Sequence, residues 1–165
     1  MDNLAIKRAA PSDVQRIVEL RLLAQEHMEK SNPLIWRITE EGERLLRQKV
    51  ENDLANVNIH VLLAEVDGEV IGYIQGEVIC RSEYKPRIVG HVSLAYVMKR
   101  FRRKGIGSRL VKELCRFFDS NRIENLTVRY VIGNKEAEGF WKKLGFQSII
   151  STTSTQLKEL EFKLK

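Results

Sequence analysis

The sequence predicts an α/β domain built on a mixed sheet, and three observations carry that prediction. Strand-like and helix-like apolar patterns alternate along the chain. Asp67-Gly68 joins two strand-like runs as a two-residue hairpin turn. A glycine-bearing turn, Arg102 to Gly107, leads from a strand-like run into a helix-like one.

Leu4 to Ala9 is a short strand. Pro11-Ser12-Asp13 starts a helix, with Ser12 as its cap. Val14, Ile17, Leu20, Ala24 and Met28 keep helical spacing, and Ser31-Asn32-Pro33 ends the run. A second helix begins near Thr39, with Leu46, Val50 and Leu54 on one face. Ile59 to Val66 and Glu69 to Cys80 form the hairpin, and Ile88 to Met98 is the next strand. Ile106, Leu110, Leu114, Phe117 and Phe118 mark a helix. Leu126 to Ile132 is a strand and Asn134 to Leu144 a helix stopped by Gly145. Phe146 to Ser151 and Leu157 to Leu164 close the chain as strands, because Leu160, Phe162 and Leu164 alternate.

The 165 residues predict a single domain spanning 1–165, with no linker or repeat. Hydrophobic content of 43% with 30% charge fits a globular protein. No apolar run reaches the ~20 residues of a membrane span, and the N-terminus lacks a signal-peptide pattern. Cys80 and Cys115 sit in apolar patterns as buried thiols of a reducing, cytoplasmic compartment. His27, His60 and His91 are scattered, so no metal site is expected.

The net charge of +6 concentrates at Lys99, Arg100, Arg102, Arg103, Lys104 and Arg109. A helix N-terminus offers free N–H groups and the positive end of its dipole, and glycine lets an oxyanion approach the backbone. The turn therefore suits a pyrophosphate, although it is neither a GxxxxGK[ST] loop nor a full GxGxxG. A basic helix start with a flexible turn is the plainer alternative. No nucleic-acid module accompanies the charge, which favours a small polyanion over a nucleic-acid backbone.

Tyr96-Val97-Met98-Lys99-Arg100-Phe101-Arg102-Arg103-Lys104-Gly105-Ile106-Gly107 resembles the acyl-CoA signature of the GNAT acetyltransferase superfamily, with its Arg/Gln-x-x-Gly-x-Gly/Ala core. Asn134 to Phe146 resembles that family's Asn-x-x-Ala-x-x-Phe-Tyr-x-x-x-Gly-Phe helix. The resemblance implies a mixed, mostly antiparallel sheet with a splayed central strand pair, flanked by about four helices. It also implies acetyl-CoA as co-substrate, no metal, a small-molecule or peptide amine as acceptor, and compatibility with a homodimer. By position, the backbone of Tyr96, Val97 and Met98 meets the pantetheine arm, with the Val97 N–H facing the thioester carbonyl. The amides of Arg103, Lys104, Gly105, Ile106, Gly107 and Ser108 hold the pyrophosphate, and Arg102 takes the motif's Arg/Gln position. Asn134 bonds the pantetheine arm, although after Gly133 it is also a good helix cap. Trp141 packs along that arm, while Phe140 reads as core.

Two departures bear on the chemistry. Trp141 stands where many members carry a Tyr credited with protonating the thiolate, and an indole N–H is no acid. Ser93 stands where a Glu base is common. Glu77, His91 and Tyr130 are the alternative proton acceptors, each also readable as a structural strand residue. Neither cysteine has the context of a covalent nucleophile. The acceptor pocket is expected at the first two helices and Ser31 to Ile38, with Trp36 as a wall or lid. Glu26, Glu29, Glu40, Glu41 and Glu43 cluster there, as an attraction for a cation or as a solvated face. The expected function is N-acetyl transfer to a primary amine by direct attack. The alternative is a catalytically silent CoA-binding module.

Overall fold

Alternation in the second strand sends Val61 and Leu63 to one face and Leu62 and Ala64 to the other, so both faces of the sheet need cover. The computed structural model describes residues 3–32 and 37–165 and supplies that cover with helices on both sides. Five strands run β1 Leu4–Arg8, β2 Ile59–Val66, β3 Glu69–Cys80, β4 Ile88–Val97 and β5 Leu126–Val128. They lie in sequence order; β1 to β4 are antiparallel and β5 is parallel to β4. Asp67 (φ 49°) and Gly68 (φ 82°) both take the left-handed region in the β2–β3 turn, as a twisted two-residue hairpin demands. Two bulges break the ladders: Ile71 is the extra residue of β3 against β2, and Ser93 the extra residue of β4 against β3.

Helices α1 Val14–Ser31 and α2 Glu40–Ala55 close one face around Ile17, Leu20, Val50, Leu63 and Tyr73. Thr39 caps α2 by accepting the Gly42 N–H at 3.0 Å. Helix α3 Ile106–Ser120 closes the other face with the stride Ile106, Leu110, Leu114, Phe118, joined by Trp141 of α4 Lys135–Lys143. Gly76 and Gly90 make room for α3. A Cβ at either would stand 2.8 Å from the Phe118 ring.

Several expectations are corrected. Ser12 caps nothing; the Asp13 carboxylate accepts the Ala10 N–H at 2.9 Å instead. The strand from Leu126 stops at Val128 rather than Ile132. No strand forms over 146–151, and Leu157–Lys163 is helix α5. Leu157, Leu160 and Leu164 fall at i, i+3 and i+7, so the same residues that alternate also fit a helix. The strands that part are β4 and β5, with β5 at the edge of the five-stranded sheet. Both cysteines are exposed. Cys115 is one residue past buried Leu114, about 100° round α3 from the apolar stripe, and Cys80 ends β3. No described helix is long and apolar enough to cross a membrane.

Candidate functional site

The site begins where the sheet parts. β5 pairs with β4 only over Gly90, His91 and Val92, yet β4 runs on to Val97. The Met98 N–H donates to Ile71 O of β3 at 2.9 Å. In an antiparallel ladder alternate residues direct N–H and C=O to the same side. Tyr96 therefore spends its backbone groups on β3, Met98 gives β3 its N–H while its carbonyl accepts the Phe101 N–H at 2.8 Å, and Val97 and Ala95 direct theirs into the gap. The Val97 carbonyl accepts Arg102 Nε at 2.9 Å, which agrees with that parity. Of the expected Tyr96-Val97-Met98 contact, only Val97 keeps a backbone face for a ligand; Ala95, unforeseen, joins it. A small cleft fills the gap. Ala24, His27 and Met28 of α1 line it on one side, Asn134, Ala137 and Trp141 on the other, with Ser93 to Tyr96 as its wall.

The basic turn follows the end of β4. Arg103 (φ 62°) and Gly105 (φ 78°) reverse the chain through left-handed conformations. The Arg109 N–H is the first to bond back, to Gly105 O at 3.1 Å. The amides of Ile106, Gly107 and Ser108 precede it and have no acceptor among the described residues. Lys99, Arg103 and Lys104 are exposed around them. A Cβ on Gly107 would meet the Phe140 ring at 3.2 Å, so the residue keeps the helix start low. Arg102 differs from its neighbours. Its guanidinium braces Val97 O, pairs with Glu136 and lies 5.4 Å over the Tyr96 ring. It braces the cleft wall at Tyr96 and Val97 from the motif's Arg/Gln position.

Asn134 is the cap of α4, accepting the Ala137 N–H at 3.1 Å, and also lines the cleft. Trp141 is buried edge-on to Phe140 (4.9 Å) and Phe146 (5.2 Å). The indole packs between those two rings; on the acyl-transfer reading expected from the sequence, Trp141→Phe keeps most of the activity. Trp141→Tyr should raise turnover by no more than about tenfold, or 1.4 kcal/mol in the barrier. Steady-state thiol release on the two variants checks both.

Among the alternative proton acceptors, His91 faces Glu77 across the β3–β4 ladder, and its Nδ1 lies 2.8 Å from Thr127 Oγ1. Burial pulls the His91 imidazole below its usual range, and the Glu77 carboxylate pushes back. Of that group only Tyr130 reaches the cleft, where Ser93, at the family's usual Glu position, also lies. Glu29 is engaged by the Ile38 N–H and the Gln25 amide, which hold its carboxyl below the usual range. Trp36 lies outside the described residues.

Two cleft-lining residues, Tyr73 and His27, and the buried Arg21 went unforeseen. Tyr73 reaches the cleft with a buried hydroxyl that has no partner among the described residues, and burial drives its titration far upward. Arg21 is buried, donating to Asp53 Oδ2 at 2.7 Å and to Gln75. Its signal was present: position 21 lies on the same helical stripe as Ile17 and Ala24. His27 lines the cleft and stands 3.6 Å from Glu136. No cluster of metal-ligating side chains occurs among the described residues.

Free amides at a cationic helix start and an unpaired strand edge are two backbone surfaces of the kind that bind anions and amides. The chain belongs to the acetyltransferase (GNAT) family, whose model matches residues 22–146. An N-alpha-acetyltransferase of Sulfurisphaera tokodaii is 32% identical over 93 residues, 53% of this chain. The chain spans 56% of that relative's length. The fold is shared with the tetramutant of the BH1408 protein of Bacillus halodurans (TM-score 0.82, 18% identity, 93% of this chain and 99% of that one). It is shared also with a predicted acetyltransferase of Clostridium acetobutylicum solved with acetyl-CoA (TM-score 0.74, 19%, 94% and 97%). A third is the aminoglycoside 6'-N-acetyltransferase AAC(6')-Ih of Acinetobacter baumannii (TM-score 0.74, 16%, 93% and 97%).

Proposed function

We propose that this protein is an N-acetyltransferase that moves an acetyl group from acetyl-CoA to a primary amine. The observation that carries the reading is the presence of two free backbone surfaces, the α3 amides and the gap-facing edge of Val97 and Ala95, joined along the chain by the basic turn. The amides of Ile106, Gly107 and Ser108 would hold the pyrophosphate, with Arg103 and Lys104 adding charge. Val97 and Ala95 would bond the pantetheine arm, and an N–H there would stabilise charge developing on the thioester oxygen. The thioester supplies an activated acyl carbon with a moderately good leaving group. The protein's share is to hold both reactants in line and to exclude water. The acceptor is a small-molecule or peptide amine entering from the α1 side.

The test is acetyl-CoA turnover against a panel of amines with thiol-release detection. Turnover supports the reading. Retention of CoA without turnover of any amine supports the silent binding module, which Trp141 and Ser93 at the usual acid and base positions favour. The charge of the turn gives a sharper expectation. Arg103→Ala with Lys104→Ala should weaken CoA binding several-fold and leave pantetheine, which has no phosphate, nearly unchanged. The difference should shrink as salt rises, because exposed charges are screened over about 8 Å at physiological ionic strength. Calorimetry with both ligands at two salt concentrations decides it; equal losses would assign the turn to something else.

A further inference from the structure

We infer that His27 is the proton shuttle of the acyl transfer, resting on the acetyltransferase reading above. The inference starts from a gap in the chemistry: Trp141 cannot protonate a thiolate, and Ser93 cannot by itself deprotonate an amine. His27 is the imidazole that lines the cleft. It projects from α1, the acceptor side, and its side chain remains about one third exposed, open to an entering amine.

Its setting is that of an oriented base. Nε2 stands 3.6 Å from Glu136 Oε2, in the first turn of α4. The same carboxylate oxygen pairs with Arg102, whose Nε holds the Val97 carbonyl at 2.9 Å. One chain of contacts thus links the imidazole on α1 to the strand edge that would carry the thioester. A carboxylate beside Nε2 favours the tautomer with hydrogen there. Nδ1 is then the basic atom, and it has no partner among the described residues. The base lines the cleft, and the carboxylate beside its other nitrogen, at 3.6 Å, is longer than a hydrogen bond and acts on it through charge.

The proton balance closes on this one residue. The neutral amine nitrogen forms a bond to the thioester carbonyl carbon. His27 Nδ1 takes one N–H proton as that nitrogen becomes cationic. The C–S bond then breaks, the electron pair leaves on sulfur, and the His27 imidazolium returns the proton to give the free thiol. No external acid is consumed, which is why the indole at position 141 is tolerated.

The test pairs His27→Gln and His27→Ala with the wild type. Calorimetry should give the same acetyl-CoA affinity for all three, since His27 faces the acceptor. The kcat of both variants should fall roughly 10²–10⁴-fold, the range of general acid–base catalysis. Added imidazole should restore part of the His27→Ala rate, which a packing defect would not allow. A kcat within about threefold of wild type in either folded variant overturns the assignment, as does a loss that imidazole leaves unchanged. If the wild type binds acetyl-CoA but acetylates no amine, the acetyltransferase reading falls and this assignment with it. An active wild type beside unaffected variants removes His27 alone.

Discussion

Phe118→Ala should destabilise the protein by about 3–5 kcal/mol, the usual loss for emptying a buried aromatic site. For a domain of this length that is a fall in Tm of roughly 6–20 °C. Phe118 is 1% exposed, and its ring fills the hollow that Gly76 and Gly90 leave in β3 and β4. The ring is therefore the contact that seats α3 on the sheet. The same helix presents the free amides of Ile106, Gly107 and Ser108, so acetyl-CoA should recover part of the lost Tm by binding only the folded state. Thermal unfolding with and without acetyl-CoA measures both effects. A loss below about 1 kcal/mol would mean that α3 is held elsewhere.

Gly107→Val should lower acetyl-CoA affinity roughly ten- to a hundredfold while the domain stays folded. The residue has ordinary helical geometry, so a side chain is not excluded by backbone strain, and Val is no worse a helix former than Gly. Its Cβ would press on the Phe140 ring at 3.2 Å, which a shift of a few tenths of an ångström relieves. What cannot adjust is the approach of an anion to the amides beside it. Losing one hydrogen bond to a charged group is worth about 1.5–3 kcal/mol, which sets the fold-change. Calorimetry on a variant with a native-like circular dichroism spectrum is the measurement. Unchanged affinity would remove the basis for placing the pyrophosphate at this turn.

The elements that position the site were legible where local chemistry and burial agree. The α3 stride of Ile106, Leu110, Leu114 and Phe118, the Asp67-Gly68 turn and the start of α2 near Thr39 each satisfy one local rule that tertiary packing reinforces. The order of elements therefore followed from periodicity, and the basic glycine turn announced an anion site from residue chemistry alone. The C-terminal segment was illegible for the opposite reason. Leu157, Leu160, Phe162 and Leu164 are compatible with both periods, and exposed as they are, little packing speaks for either.

What tertiary structure alone decided is direction. The Ser93 bulge and the early end of β5 determine which backbone amides meet the gap, and no sequence pattern encodes a ladder's parity. Arg102, Arg103 and Lys104 are adjacent basic residues, yet one is a strut pinned to Val97 and Glu136 while the others face solvent. Cys115 and Leu114 differ by a single step around a helix and lie on opposite sides of the burial boundary. His27 and Glu136 are more than a hundred residues apart and meet across the cleft because α1 and α4 flank the same gap. Residue types and their spacing determined that this chain would build an α/β domain with an anion-binding turn. Which side chains share the cleft depends on long-range packing, because only the folded sheet brings those elements within hydrogen-bonding distance.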